Sequence, residues 1–228
     1  MSYSSFRSAA RRSTSWGLSR VELLVLLGVA LILAGVGYFY VSSYLERISP
    51  HRAVEAARTI NTLLSQYATD NNGVYPVGEG TPAMGKSEGI ARNLLENNYT
   101  PDASVFAVGS APRYEARGED FSGIGAANIS WDFTAGATAA AGLTSSASDL
   151  LPTVYTTGET VSYAPTSGTG MNLPLSGNGP FAKKGMAVAY KGGNAVFLPG
   201  TASGADVECQ GFLSKEFKDA GPYTQIRP

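Results

Sequence analysis

The chain of 228 residues has one cysteine, one histidine and few charges, and each scarcity excludes a class of chemistry. Cys209 alone cannot form an intrachain disulfide or a cysteine-based zinc site. His51 alone would have to serve any Ser/His/Asp or Cys/His catalytic unit, and it follows directly on Pro50. Charged residues make up 15% of the chain, with 17 Lys+Arg against 18 Asp+Glu and a formal net charge of -1. No acid precedes Glu22, whereas Arg7, Arg11 and Arg12 all precede Gly17, so a product cut after Gly17 is mildly acidic and carries no electrostatic footprint for nucleic acid. No P-loop, zinc motif or G-x-S-x-G elbow occurs, and the reading is of a protein that is not an enzyme.

What is present begins with an uncharged run from Leu23 to Val41. At ~1.5 Å of rise per residue it makes a helix of roughly 28 Å, close to the hydrocarbon thickness of a bilayer. The arginines before it predict an amino terminus in the cytoplasm and a carboxy-terminal domain outside. A secretory signal peptide would have a shorter apolar region and a small-x-small cleavage site, which "FYVSSYLERISP" lacks. An uncleaved signal anchor accounts for the length but leaves Glu22 unexplained, because an acid inside an apolar span needs a partner.

"WGLSRVELLVLLGVALILAG" supplies one, since it resembles the class III signal of type IV pilins and of type II secretion pseudopilins. The resemblance implies cleavage between Gly17 and Leu18 by a prepilin peptidase, N-methylation of Leu18, and Glu22 as the fifth-position acid that meets the new amine of a neighbouring copy. Pairing across copies would offset the desolvation of both charges. Leu18 stands where the family usually has phenylalanine or methionine, and Arg20 where it has an apolar residue. Gly28, Gly35 and Gly37 in the apolar run fit either close helix packing or local unwinding.

Beyond the run, Val54, Ala57, Ile60, Leu64 and Tyr67 recur at three- and four-residue steps, predicting an amphipathic helix with an interruption at Pro50. "DNNG" should end it, because Asn72 and Gly73 tolerate the left-handed conformation. Asp70, Asn71 and Asn72 lack the spacing of a calcium loop and read as a helix stop. "YATDNNGVYP" adds to the resemblance, since pseudopilins commonly follow their long helix with such a turn, and the likeness covers about residues 10–76.

The remainder is read from its own residues. "GIARNLLENNYTP" predicts a short helix, "NISWDFTA" a half-buried strand, "TVYTTGETVSY" a hairpin about Gly158, and "GMAVAYKGGNAVFLP" a hairpin about Gly192 and Gly193. Residues 134–148 give no decisive pattern. The expected fold is α+β: a long amino-terminal helix, part transmembrane and part amphipathic, packed on a small antiparallel sheet with long loops, which is also the pilin fold. The expected divisions are a leader (1–17), a filament-core helix (18–45), the amphipathic helix with its turn (46–76) and a globular domain (77–228).

The resemblance implies a structural subunit of a periplasmic pseudopilus that drives protein export. It would be single-pass in the inner membrane before assembly. Its partners would be the prepilin peptidase, other copies and minor pseudopilins, and an inner-membrane platform with its ATPase. A type IV pilus subunit of a surface fibre is the alternative, with an anchored binding or enzymatic domain behind it. A binding surface on the Gly/Ser/Thr-rich loops would use Tyr114, Tyr155 and Tyr163. No cofactor is expected. Major pseudopilins often carry a calcium loop near this end, but Asp206, Glu208, Glu216 and Asp219 show no ligand spacing.

Overall fold

The structure is a computed structural model that describes residue 25 and residues 50–77, 85–109, 111–115, 120–163, 170–218 and 221–228. The chain divides into two compact units, Met1–Leu45 and Glu46–Pro228, and the elements named below all lie in the second.

Helix α1 is described over residues 50–70. Ala53, Ala57, Ile60, Leu64 and Ala68 form its buried stripe, while Glu55, Arg58, Thr62, Gln66 and Thr69 face solvent. Thr59, Thr62, Ser65 and Thr69 return their hydroxyls to the carbonyl four residues back, so the polar side chains bond within the helix. Asn61 breaks the apolar stripe and ties the helix down. Its Nδ2 donates to the Tyr190 carbonyl at 2.9 Å, and its Oδ1 accepts from Thr153 Oγ1 at 2.6 Å.

The helix ends at the stop expected from Asp70–Gly73. Asn72 (φ 55°) and Gly73 (φ 79°) are both left-handed, and the Gly73 N–H donates to the Ala68 carbonyl at 2.7 Å. A Cβ on Gly73 would lie 2.5 Å from Ser145 Oγ, a contact the serine hydroxyl relieves by turning away, so the left-handed backbone is what favours glycine here. The undecided segment 134–148 packs here: the Tyr75 N–H donates to the Leu143 carbonyl at 2.8 Å, and the Ser145 N–H to the Gly73 carbonyl at 2.7 Å. Helix α2 (Ser87–Glu96) buries Ile90, Ala91, Leu94 and Leu95 and ends where Asn98 turns left-handed.

Seven strands form one sheet: β1 (Trp131–Ala135), β2 (Pro152–Thr156), β3 (Met171–Pro174), β4 (Gly185–Tyr190), β5 (Ala195–Ser203), β6 (Asp206–Leu213) and β7 (Thr224–Ile226). The order is β3-β6-β5-β4-β2-β1-β7, with every pair antiparallel. β5 is shared: Ala195–Pro199 pairs with β4 and Gly200–Ser203 with β6. A Cβ at Gly200 would lie 2.2 Å from the Lys183 carbonyl oxygen, so β5 turns this corner only with glycine. The sheet thereby curls into a half-barrel.

Three expectations are corrected. Among the described residues the fold is mostly β, with helix over 50–70 and over Ser87–Glu96 beside a seven-stranded sheet, and not the expected α+β fold of one long amino-terminal helix on a small sheet. The reason is that the sheet is larger than the sequence pattern indicates, since β3, β6 and β7 add strands where none was expected. The expected span, residues 23–41, lies outside the described residues apart from Val25. Among the described residues no helix is long and apolar enough to cross a membrane, which overturns the single-pass inner-membrane placement and the transmembrane reading. The longest described helix, α1, is amphipathic and spends its apolar stripe on the core.

The strand at Trp131 is present but wholly buried, with Trp131, Phe133 and Ala135 alternating with Asp132 and Thr134. The hairpin about Gly158 does not form, because β2 pairs with β1 and β4 and no strand follows over 157–163. The β4–β5 hairpin does form, with Gly193 alone of the two glycines at positive φ (89°).

Candidate functional site

Gly17, Leu18 and Glu22, the processing and assembly residues of the sequence reading, lie outside the described residues. The other sequence candidates are placed as follows. His51 is exposed in the first turn of α1. Asn71 Nδ2 is used on the Tyr67 carbonyl at 2.8 Å, and Asp70 accepts from the Tyr99 hydroxyl at 3.0 Å. With Gln66, Thr69 and Asn98, Asp70 and Tyr99 line an open groove of about 340 Å³.

Asp206 and Glu208 lie on β6, and Glu208 accepts from Asn172 Nδ2 at 3.5 Å; Asp219 is outside the described residues. Among the described residues no three His, Cys, Asp or Glu side chains are grouped to hold a metal ion. Cys209 is buried, its thiol donates to the Leu198 carbonyl at 3.3 Å, and burial pushes its pKa up to about 11. A thiol so placed is a packing group and not a nucleophile. Tyr155 and Tyr163 are buried and unavailable to a binding surface, while the Tyr114 hydroxyl donates to the Asp120 carbonyl at 3.1 Å.

The strongest concentration of polar chemistry is one the sequence did not disclose. It lies where β1, β2 and β7 meet the loop 157–163. Asp132 stands opposite Tyr155 in the β1–β2 register, which puts both side chains on one face. On that face the Tyr155 and Tyr163 hydroxyls are 2.7 Å apart, and the Tyr163 hydroxyl is 2.6 Å from Thr134 Oγ1. Thr134 in turn donates to the Pro152 carbonyl. Burial raises the pKa of both tyrosines, so they remain neutral donors and acceptors.

Asp132 is fully buried, and its Oδ2 accepts from Gln225 Nε2 at 2.6 Å. The same Nε2 donates to the Glu159 carbonyl at 2.7 Å, and Gln225 Oε1 accepts from the Val161 N–H at 3.0 Å. Arg227 donates to the Glu159 carbonyl at 2.7 Å and to Gln225 Oε1 at 2.9 Å. The Glu159 carboxylate is turned the other way, accepting from the Ser176 and Gly177 N–H groups at 2.8 and 3.3 Å. Asp132 Oδ1 has no hydrogen-bond partner. Burial pushes its carboxyl up to about 6, an effect that hydrogen bonding with Thr157 and Gln225 and the Arg227 charge offset only in part.

Comparison with protein-family models, with curated proteins and with solved structures finds no match to this chain.

The buried cluster can hold a proton and fasten the carboxy-terminal strand. It has no open cleft in which a substrate could meet Asp132, whose exposure is 0%. Sequence reasoning missed it because Asp132 occupies the polar position of an alternating strand, where solvent is the ordinary neighbour. The one available signal was the hydroxyl-rich character of "WDFT", "TVYT" and "VSY".

Proposed function

We propose that the chain is a structural, filament-forming subunit, processed and assembled in the manner of type II secretion pseudopilins. Cleavage after Gly17 creates an ammonium at Leu18, and Glu22 of an adjoining copy pairs with it as the subunit enters the filament. The apolar run 23–41 then packs against the same run of neighbouring copies, removing its surface from water. The partners are a prepilin peptidase, other copies and minor subunits, and an assembly platform with its ATPase.

The observation that carries the reading is the spacing of Gly17, Leu18 and Glu22 ahead of an uncharged run, preceded only by basic charges. Additional support comes from the terminating turn after α1, where Asn72 and Gly73 occupy the positions of the family's turn. A subunit that is pushed or pulled also needs its helix fastened to its sheet, and Asn61 provides such a tie through Tyr190 and Thr153.

The test is assembly of Glu22→Ala together with a prepilin peptidase and the platform proteins of a type II secretion system. The variant is expected to be cut normally and to stay out of sedimentable filaments, with the parent chain entering them. Filaments of normal yield from Glu22→Ala contradict the pairing.

A further inference from the structure

We propose that Asp132 is a proton switch for the carboxy-terminal strap: with its proton in place β7 stays docked through Gln225, and ionisation loosens β7 together with the loop at 157–161. The argument starts from geometry. A fully buried carboxylate is costly unless paired with a cation and hydrogen-bonded at both oxygens. Asp132 takes Gln225 Nε2 at Oδ2, Thr157 nearby also favours its charged form, and Oδ1 has no partner at hydrogen-bond distance, so the compensation falls short of two well-bonded oxygens. The nearby cation is committed elsewhere, since Arg227 donates to the Glu159 carbonyl and to Gln225 Oε1. The neutral acid is therefore the form the site accommodates.

The groups facing Asp132 do not change this. From β2 comes Tyr155, a neutral phenol behind the Tyr155–Tyr163 hydrogen bond. From the loop come Tyr163 and Glu159, the latter's carboxylate held by two backbone N–H groups, and its charge disfavours ionisation of Asp132. From β7 come Gln225 and Arg227. At the start of α2, Ser87 bonds the Arg227 and Ile226 carbonyls, and Lys86 and Glu88 lie 3.7 Å from each other.

β7 is suited to release. It has three residues, pairs only with β1, and lies at the edge of the sheet. Besides that ladder it is held by Ile226 in the core, by the Ser87 bonds, by one bond from Thr224 Oγ1 to the Ala137 carbonyl at 3.2 Å, and by the Asp132–Gln225–Glu159–Arg227 group. The Gln225 bond by itself favours the charged form, so the loosening comes from burial: release of β7 lets water reach the Asp132 carboxylate, and Gln225, through which both the loop and Arg227 are tied, leaves with the strand.

The sign follows from the raised pKa. A carboxyl whose folded value of about 6 exceeds its ordinary 3.8 favours the docked state at low pH, and that contribution is lost as pH rises through about 6. Between about pH 5 and about pH 8 the docked state of β7 should lose roughly tenfold in its equilibrium against release.

The test is amide hydrogen exchange of the full chain across this range. Protection of Thr224–Ile226 is compared with that of the β4–β5 hairpin, so that the intrinsic pH dependence of exchange cancels. Protection of β7 relative to the hairpin is expected to fall roughly tenfold from about pH 5 to about pH 8, and to be independent of pH in Asp132→Asn. A pH-independent ratio in the parent chain overturns the proposal whether or not Asp132→Asn folds. An Asp132→Asn profile that still falls as the parent's does also overturns it, since another group would then be the switch.

Discussion

Replacing Asn61 with aspartate changes one NH2 group for an oxygen at the point where α1 is fastened to the sheet. Asn61 is 2% exposed, so the new carboxylate would be desolvated. Its Oδ1 could still accept from Thr153, but the atom that donates to the Tyr190 carbonyl at 2.9 Å would become an oxygen facing an oxygen. The Tyr190 carbonyl keeps the Gly193 N–H at 2.9 Å, so the acceptor is not orphaned, and the cost falls on the buried charge. Loss of a partner to a buried charge costs about 3 to 5 kcal/mol. Asn61→Leu is the control: it forfeits two hydrogen bonds at about 1 kcal/mol each and introduces no charge. In urea denaturation followed by tryptophan fluorescence, to which the buried Trp131 contributes, Asn61→Asp should lower the midpoint by about 1.5 to 2.5 M at neutral pH, taking a slope of about 2 kcal/mol per molar. Asn61→Leu should lower it by about half as much. Burial would raise the aspartate's pKa in the fold, so its penalty should shrink as pH falls from about 7 toward about 4, whereas that of Asn61→Leu should not. Equal, pH-independent losses for the two variants would refute the docking of α1 at Tyr190.

Two further substitutions probe the turn and the hydroxyl chain, and two more bear on the proton switch and on processing. Gly73→Val places a β-branched residue at φ 79° with its Cβ 2.5 Å from Ser145 Oγ, and thermal unfolding should show a loss of about 2 to 4 kcal/mol. Tyr163→Phe removes the hydroxyl between Thr134 and Tyr155, leaves the Tyr155 hydroxyl without that partner, and should cost about 1 to 3 kcal/mol in the same assay. Asp132→Asn should abolish the pH dependence of β7 protection, read by hydrogen exchange. Gly17→Ala should leave the leader attached when a prepilin peptidase is present, read by gel mobility.

The elements legible from sequence were those whose pattern is local. The stripe of α1 and its Asn72–Gly73 stop, the short helix ending at Asn98, and the Gly193 turn each announce themselves within about ten residues. The size of the sheet was not legible, because β3, β6 and β7 add strands to those that local patterns mark, and the burial of β1 and β2 at every residue does not show in their alternating sequence. β7 is three residues long, and β6 contains Gly211 at φ 72°, so neither presents a strand-like run. The Asp132 cluster joins residues up to 93 positions apart, Asp132 to Gln225, and no local pattern encodes such a meeting.

The central claim is that a cut after Gly17 prepares this chain for assembly, and intact mass spectrometry of the chain purified from cells with a prepilin peptidase tests it most directly. The account predicts a single species that lacks residues 1–17 and carries one added methyl group on the amine of Leu18. A full-length, unmethylated chain under those conditions would contradict it.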